Sequence, residues 1–305
     1  MSDGQLREVA DGVLAWVQAD GSWWLNNAGA VTGPDGTILI DTCATKPRTR
    51  ALLGAVAEAT GDAPIRLALN THLHGDHTYG NCLLPESTVL VSHPATRAGI
   101  IADPVIDGCP PFWQPVPDWG GATRRPASVT VADRLTLHTG EREVSVRHPG
   151  YAAHTPGDLV AWLPEPRVLF TGDLVFHQVT PLVFMGSVEG ALRSLEWLAA
   201  FEPAIIVPGH GPVLEADALA GVLATHERYY RLVLDTAKAG IAAGRTPLEA
   251  ARDCELGEFT DLPDAERIVL NLHRAYTELT GAPFDLIAAF TDAVTYNGGP
   301  MHCAL

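Results

Sequence analysis

The chain has 305 residues, of which 47% are hydrophobic, and it carries a formal net charge of −16. This length and composition allow a large buried core, in a single domain or in a domain with an appendage. The negative charge argues against nucleic acid and anionic membranes as partners, because both require clustered lysine and arginine. No apolar stretch of the sequence is long enough to cross a bilayer.

The cysteines and the N-terminal segment both bear on the cellular compartment. The 5 cysteines are odd in number and irregularly spaced, which indicates reduced thiols rather than a disulfide framework. Residues 1–8 show neither a basic start nor an apolar segment, so no signal peptide is visible. We therefore expect a cytoplasmic protein.

The first part of the chain predicts strands joined by tight turns, over residues 13–18, 26–31 and 37–40. A helix should follow, with Thr45 as its N-cap and Gly61 just beyond its end. The apolar residues of this helix that should face inward are Leu52, Leu53 and Val56.

A cluster of potential metal ligands directly follows an apolar run at residues 65–69. Its members are His72, His74, Asp76 and His77. Imidazole and carboxylate together suit zinc or iron, and a catalytic metal needs such ligands with one position left open. The alternative is a polar loop whose histidines only cap their neighbours, and such loops rarely gather so many ligands so closely.

Three further candidate ligands lie in glycine-containing turns after short β-rich runs: His154, Asp173 and His210. Rigid strands that present several loops at one edge of a sheet can assemble a site from distant parts of the sequence. We therefore expect these side chains to join the first cluster at one edge of the fold.

Two aromatic-rich stretches are candidates for a substrate pocket. Trp23 and Trp24 are adjacent in a turn, where exposure of both rings would be costly. Residues 103–121 contain five prolines and three aromatic side chains, which excludes a long helix and indicates a stiff ordered loop. This loop is either an aromatic lid over a flat, apolar substrate or a surface loop packed against the rest of the fold.

A second series of strands and helices is predicted to begin near Ser128, and its helix should open at Ser187. The side chains that this helix should bury are Leu192, Leu195 and Leu198. Two strand-and-helix halves that face each other predict an α/β protein, an αββα four-layer sandwich.

Beyond Pro212 the pattern becomes helical, with candidate helices over residues 217–239 and 263–279. We assign residues 1–215 to a catalytic domain and residues 216–305 to a helical C-terminal extension packed on it. This extension could form one wall of the active-site groove.

The order His-x-His-x-Asp-His, followed by His, Asp and His, resembles the metallo-β-lactamase superfamily. The resemblance implies an αββα fold with two zinc ions, although iron or manganese is not excluded. The ligands that it implies for the first metal are His72, His74 and His154. Those that it implies for the second are Asp76, His77 and His210, with Asp173 bridging the two. The bridging aspartate resembles the hydrolase branch rather than the secreted β-lactamases.

Zinc chemistry narrows the reaction to two classes. A catalytic zinc makes hydroxide available at neutral pH and stabilises an oxyanion as a Lewis acid, which suits hydrolysis of a carbonyl compound. The same Lewis acid stabilises an enolate and so suits an intramolecular aldol condensation. In both cases Asp76 and Asp173 are the candidate catalytic residues, which would orient the attacking water and accept its proton.

A closer resemblance is to the cyclase/thioesterases of bacterial aromatic (type II) polyketide pathways, of the actinorhodin type. It rests on residues 70–77, 117–120, 133–138, 246–251, 271–275 and 296–299. It implies a role in antibiotic biosynthesis, in which the second ring of an acyl-carrier-bound polyketide is closed and the thioester is hydrolysed. The partners implied are an acyl carrier protein and its tethered polyketide, and an oligomer is possible. The candidate substrate contacts are Trp23, Trp24, Phe112, Trp113, Trp119, Phe176 and His273.

Three other functions remain open from the sequence. The first is a generic zinc-dependent thioester or lactone hydrolase, similar to glyoxalase II, that performs no cyclisation. The second is a redox enzyme that holds iron in the same ligands, as persulfide dioxygenases and diiron flavoproteins do. The third is a metal-stabilised binding module without catalysis, which has little need for an open dinuclear site.

Overall fold

The computed structural model describes residues 4–18 and 20–305, so the start of the segment 1–8 lies outside the described residues. The strands, in chain order, are β1 (Gln5–Ala10), β2 (Val13–Val17), β3 (Ala28–Gly33), β4 (Gly36–Ile40), β5 (Ile65–Leu69), β6 (Val89–Ser92), β7 (Trp113–Gln114), β8 (Val129–Thr130), β9 (Arg134–Thr139), β10 (Arg142–Arg147), β11 (Val160–Leu163), β12 (Val168–Phe176), β13 (Ile205–His210), β14 (Leu214–Glu215) and β15 (Met301–His302). The α-helices are α1 (Lys46–Thr60), α2 (Gly75–Thr78), α3 (Pro94–Ala102), α4 (Val188–Ala199), α5 (Ala216–Ala242), α6 (Pro247–Asp253), α7 (Arg267–Thr280) and α8 (Leu286–Asn297). Short 3₁₀ turns cover Tyr79–Leu83, Val105–Asp107 and Gly257–Phe259.

Two sheets pack face to face and carry helices on their outer faces. The first sheet has the order β1-β2-β3-β4-β5-β6-β8 and the second β14-β13-β12-β11-β10-β9. Strands β4, β5 and β6 run parallel, as do β12 and β13, so several carboxyl ends meet at one edge. The predicted αββα sandwich is confirmed.

The alternation of side chains along the strands explains this layering. In β4, Ile38 and Ile40 pack between the sheets, whereas Leu39 faces the outer helix α1 and its residue Leu52. In the second sheet, Phe170 of β12 lies in the inter-sheet core and the neighbouring Leu169 joins the outer core beneath α4. Both faces of each central strand are therefore buried, which requires the near-continuous apolar runs that these strands have.

Helix α1 shows how local sequence sets the element that follows β4. Its N-cap is Thr45, whose side chain accepts a hydrogen bond from the Arg48 N–H, and Gly61 ends it in a left-handed conformation with φ of 62°. Leu52 and Val56 are buried and Leu53 is partly buried. The predicted boundaries and buried face of this helix are confirmed.

Several boundaries differ from the sequence prediction. The strand near Ser128, β8, pairs with β6 and completes the first sheet, so the second sheet begins at β9. The helix expected from residue 263 begins at Arg267, because Asp264 adopts a left-handed conformation with φ of 61°. Helices α3, α6 and α8 were not predicted, and all three are short elements stabilised by caps and tertiary contacts.

The C-terminal helices share a core with the second sheet. Val233 of α5, Ile268 of α7 and Phe290 of α8 belong to the same buried cluster as Leu169 and Ile206 of the sheet. The division into residues 1–215 and a 216–305 extension remains a prediction. None of the helices in the described ranges is both long and apolar enough to cross a membrane.

Candidate metal centre

One group of predicted ligands surrounds a point at the carboxyl edge of the sheets. His74 Nδ1 lies 3.1 Å from His72 Nε2 and 2.9 Å from His154 Nε2. Asp173 Oδ2 lies 3.7 Å from the first of these Nε2 atoms and 3.3 Å from the second. The four ligand atoms all lie within 4.8 Å of one another.

A second group shares the same carboxylate. His210 Nε2 lies 3.2 Å from Asp76 Oδ2, and His77 Nε2 lies 3.7 Å from the same oxygen. Asp173 approaches this group too, with Oδ1 3.1 Å from His77 Nε2 and Oδ2 3.3 Å from His210 Nε2. Asp173 therefore stands between the two groups, as expected of a bridging ligand.

These distances are compatible with metal ligation. Metal–ligand bonds of about 2.1 Å in tetrahedral geometry separate the ligand atoms by roughly 3.4 Å. Within the described part of the chain, His74 Nε2, His77 Nε2 and Asp173 Oδ1 are buried and have no hydrogen-bond partner. Buried polar atoms without a partner are costly, and a metal ion supplies the missing interaction for the two that face the cluster.

Outer hydrogen bonds orient the imidazoles. The Nδ1 atom of His77 contacts Asp41 Oδ2 at 2.8 Å, that of His154 the Leu182 carbonyl at 2.7 Å, and that of His210 the Gly21 carbonyl at 3.0 Å. These contacts hold Nδ1 as the donor and direct Nε2 into the cluster. His72 is oriented through Thr71 Oγ1, 3.0 Å from its Nδ1.

Asp41 is a functional residue that the sequence analysis missed. It follows β4 directly and accepts hydrogen bonds from both the backbone N–H and the hydroxyl of Thr71, each at 2.7 Å. It also holds His77, so one buried carboxylate orients ligands of both groups. The sequence feature that could have indicated this role is an apolar strand that ends in aspartate at the carboxyl edge of a parallel sheet.

Glycine is required where the ligands crowd the backbone. A Cβ atom at Gly209 would lie 1.9 Å from Asp173 Oδ1, and one at Gly75 would lie 2.3 Å from the ring of Tyr79. Both positions therefore exclude a side chain, which explains the glycines within these ligand-bearing turns.

Burial determines the protonation of two ligands in the metal-free site. It lowers the pKa of His72 and His154, for His154 to about 3, so that their imidazoles are neutral.

Neighbouring charges determine the protonation of the second group. Burial alone would lower the pKa of His77 and His210, but the carboxylate of Asp173 outweighs it and raises both. Burial alone would raise the pKa of Asp76, but the charges of these two histidines outweigh it and lower the value to about 2. Because metals bind neutral imidazole and ionised carboxylate, metal binding to these two histidines would displace protons.

A cavity of about 470 Å³ opens over this cluster. Of the predicted substrate contacts, Trp23, Trp24, Phe112, Trp113 and Phe176 line its wall together with metal-site residues. The 103–121 stretch packs against the rest of the fold, because β7 within it pairs with β15 near the C-terminus, and it also contributes aromatic residues to the cavity wall.

Two predicted substrate contacts lie elsewhere. Within the described residues, Trp119 is not part of the wall, since it packs behind Trp24 with ring centroids 4.7 Å apart. His273 faces α8, where its Nε2 contacts Asp292 Oδ2 at 2.9 Å. The structure therefore does not bring these two side chains to the cavity wall, and their contact with substrate remains a prediction.

Other wall residues were missed because they come from distant segments. Phe290 of α8 stacks on Phe112 with centroids 5.3 Å apart, and Phe184 lies parallel to the His74 ring at 5.0 Å. Arg267 at the start of α7 lies between Trp23 and Phe176, with its guanidinium carbon 4.6 and 5.6 Å from their ring centroids. No local pattern marked these residues.

A family model described as the metallo-β-lactamase superfamily matches residues 21–210, a range that contains every ligand of the centre. The chain belongs to the metallo-β-lactamase superfamily. A curated relative, the hydroxyacylglutathione hydrolase of Methylococcus capsulatus, is 32% identical over 156 residues, which are 49% of this chain. The chain spans 50% of that relative's length.

Solved structures resemble this chain in fold, over three quarters of its length or more. A metallo-β-lactamase from Pontibacter korlensis, 18% identical, superposes with a TM-score of 0.60 over 75% of this chain and 99% of its own. The stereoselective inverting sec-alkylsulfatase Pisa1 from Pseudomonas sp., also 18% identical, superposes with a TM-score of 0.65 over 97% of this chain and 55% of its own. At this identity the likeness concerns the fold alone.

Proposed function

We propose that the chain is a metal-dependent thioester hydrolase whose substrate carries a flat aromatic acyl group. The main support for this function is the position of the ligand cluster at the base of a cavity with aromatic walls. The cavity volume of about 470 Å³ lies within the range of small-molecule sites and accommodates a fused ring system. The partial match to a protein named hydroxyacylglutathione hydrolase supports hydrolysis of an acyl conjugate of a thiol.

Two divalent metal ions, which we propose to be zinc, would lower the pKa of water and polarise the thioester carbonyl. His72, His74 and His154 would hold the first ion, and Asp76, His77 and His210 the second. The carboxylate of Asp173 would join both and, with Asp76, accept the proton of the attacking water. The surrounding rings exclude bulk water, which strengthens these electrostatic interactions.

A second candidate is closure of a ring before release, as in the polyketide cyclase/thioesterases. The volume of about 470 Å³ suits the large acyl group that such a reaction needs, because a small acyl group would leave most of the wall unused. In this version the thioester would be delivered by an acyl carrier protein, and the metal centre would stabilise the enolate of an aldol condensation.

The first experiment measures metal content and then thioester turnover. Purified protein with two zinc ions per chain should hydrolyse the N-acetylcysteamine thioester of naphthoic acid, and a His74→Ala variant should not. Failure of the metal-loaded protein to hydrolyse any aromatic acyl thioester would contradict the proposal. Tightly bound iron instead of zinc would favour the redox alternative.

A one-ring aromatic poly-β-ketone thioester separates the two candidates. Mass spectrometry should find a free acid in either case. A two-ring acid would establish cyclisation, whereas the uncyclised acid alone would leave a thioesterase.

Phe290→Leu should weaken selection for a large aromatic acyl group. Phe290 contacts several rings of the wall, including Trp113 at 5.4 Å and Phe184 at 5.6 Å between centroids. An aromatic pair contributes about 0.5–1.5 kcal/mol, so KM for the naphthoyl thioester should rise roughly 2- to 13-fold, with a much smaller change for an acetyl thioester. The matched control is Phe201→Leu, which alters an aromatic cluster around Trp162 outside the cavity. Equal changes in KM for the naphthoyl and acetyl thioesters would mean that Phe290 does not contact the acyl group.

A further inference from the structure

The cavity wall contains a polar pair that the proposed metal chemistry does not use. Tyr79 and Asp103 both line the wall, and the Tyr79 hydroxyl donates a 2.6 Å hydrogen bond to Asp103 Oδ2. The other carboxylate oxygen, Oδ1, accepts a 2.8 Å hydrogen bond from the Val105 N–H. The pair is therefore held in one orientation.

Among the other polar side chains in the described part of the wall, the indole N–H groups of Trp24 and Trp113 have no partner and can only donate, so they are not acceptors. Four others are ligands of the metal centre. Arg267 donates to the Thr180 carbonyl at 2.9 Å and forms an ion pair with Asp264 at 2.7 Å. In a mostly apolar pocket, the few polar groups left over determine the orientation and identity of the ligand.

The direction of the hydrogen bond defines which ligand the pair can bind. The single hydroxyl hydrogen of Tyr79 points to Asp103, so the phenolic oxygen can only accept another hydrogen bond. The carboxylate oxygens of Asp103 are also acceptors. A ligand group at this position must therefore be a donor, which a hydroxyl is and a carbonyl or methoxy oxygen is not.

The pair lies close to the reacting end of the cavity. The ring of Tyr79 lies over Gly75, where an added Cβ would come within 2.3 Å of it, and Gly75 separates the ligands His74 and Asp76. On its other side the Tyr79 ring meets Trp119 edge-on, with centroids 5.1 Å apart. An acyl group bound at the metals would therefore lie near this pair.

We propose that Tyr79 and Asp103 form an acceptor subsite that binds a phenolic or enolic hydroxyl on the acyl group of the substrate. This inference rests on the proposed function and narrows its substrate class to hydroxylated aromatic acyl thioesters.

The test compares naphthoyl thioesters that carry hydrogen, hydroxyl or methoxy at ring positions away from the carboxyl group. For at least one position, the wild-type protein should favour hydroxyl over methoxy by about tenfold in kcat/KM, the effect of one hydrogen bond to a charged acceptor. The double variant Tyr79→Phe/Asp103→Ala, which removes both acceptors, should reduce this ratio below about twofold. Asp103→Asn should abolish or reverse it, because the amide can donate to the Tyr79 oxygen and free its hydrogen.

Tyr276→Phe is the matched control, since it removes a hydroxyl that donates to the Arg245 carbonyl outside the cavity. Its hydroxyl-to-methoxy ratio should equal that of the wild type. A wild-type ratio near one, or a preference that survives the double variant Tyr79→Phe/Asp103→Ala, overturns the subsite and leaves the hydrolase intact. If no thioester is hydrolysed, the proposed function fails. In that case the affinities of the free hydroxy and methoxy acids, measured by quenching of tryptophan fluorescence, test the subsite. A hydroxy acid that binds about tenfold more tightly than the methoxy acid supports it, and equal affinities contradict it.

Discussion

Replacing Asp173 with alanine is expected to remove at least one of the two metal ions and to abolish most of the activity. Its carboxylate is the group that approaches ligands of both metal positions, with oxygen-to-nitrogen distances of 3.1 to 3.7 Å. Removing one preorganised electrostatic group from an active site costs about 10²–10³-fold in kcat, and we expect at least this loss. The metal loss is measured by elemental analysis of metal per chain, and the activity loss by kcat/KM for the naphthoyl thioester.

The control for this variant is Asp118→Ala, which removes an exposed carboxylate from the same proline-rich segment that lines the cavity. It should retain two metals and wild-type turnover. Two tightly bound metals in Asp173→Ala, with unchanged turnover, would show that this residue does not bridge the centre.

Replacing Asp41 with alanine is expected to weaken metal binding about 10- to 100-fold although Asp41 is not itself a ligand. The change leaves the N–H and hydroxyl of Thr71 and Nδ1 of His77 without their acceptor in a buried site. Each unsatisfied donor costs about 1–3 kcal/mol, so the thermal unfolding temperature of the metal-free protein should fall as well. Chelator competition and thermal unfolding measure the two effects separately.

Backbone strain must be separated from the lost hydrogen bonds. Asp41 has a φ of 61°, and Asp62, exposed just after α1, has a φ of 60°. Asp62→Ala therefore introduces the same strain without touching the site, and its metal affinity should equal that of the wild type. Asparagine tolerates this conformation and keeps one acceptor, so the metal affinity of Asp41→Asn should lie between those of the wild type and Asp41→Ala. Equal metal affinity in Asp41→Ala and Asp62→Ala would show that Asp41 does not orient the ligands.

The ligand side chains and the elements that carry them were predictable because their signals are local. His72 and its neighbours lie within a few residues of one another after a strand, and Thr45 and Gly61 mark the ends of α1 through their own backbone preferences. His210, far away in sequence, was predicted from the same pattern of an apolar run followed by a glycine turn. Each of these inferences requires only a short window of sequence.

The hydrogen bonds around the ligands and the cavity wall could not be predicted in this way. The role of Asp41 depends on the lateral order of parallel strands, which brings the end of β4 beside the loop after β5. The pairing of Tyr79 with Asp103 spans 24 positions, and Trp23 reaches Glu266 across 243. No periodicity encodes such contacts, because they arise only when separate elements pack.

The strand and helix pattern of the chain therefore predicted the four-layer fold, and the resemblance of its histidine and aspartate motifs to the superfamily predicted the metal-ligand set. The packing of separate elements was needed to show which carboxylate contacts His77, which rings enclose the cavity and where the pair of Tyr79 and Asp103 lies. A ligand set depends on residue types at strand ends, whereas a binding cavity is formed by side chains from elements that meet only after folding. For that reason Phe290 of α8 forms part of the wall, whereas Trp119 and His273, both predicted to contact substrate, do not.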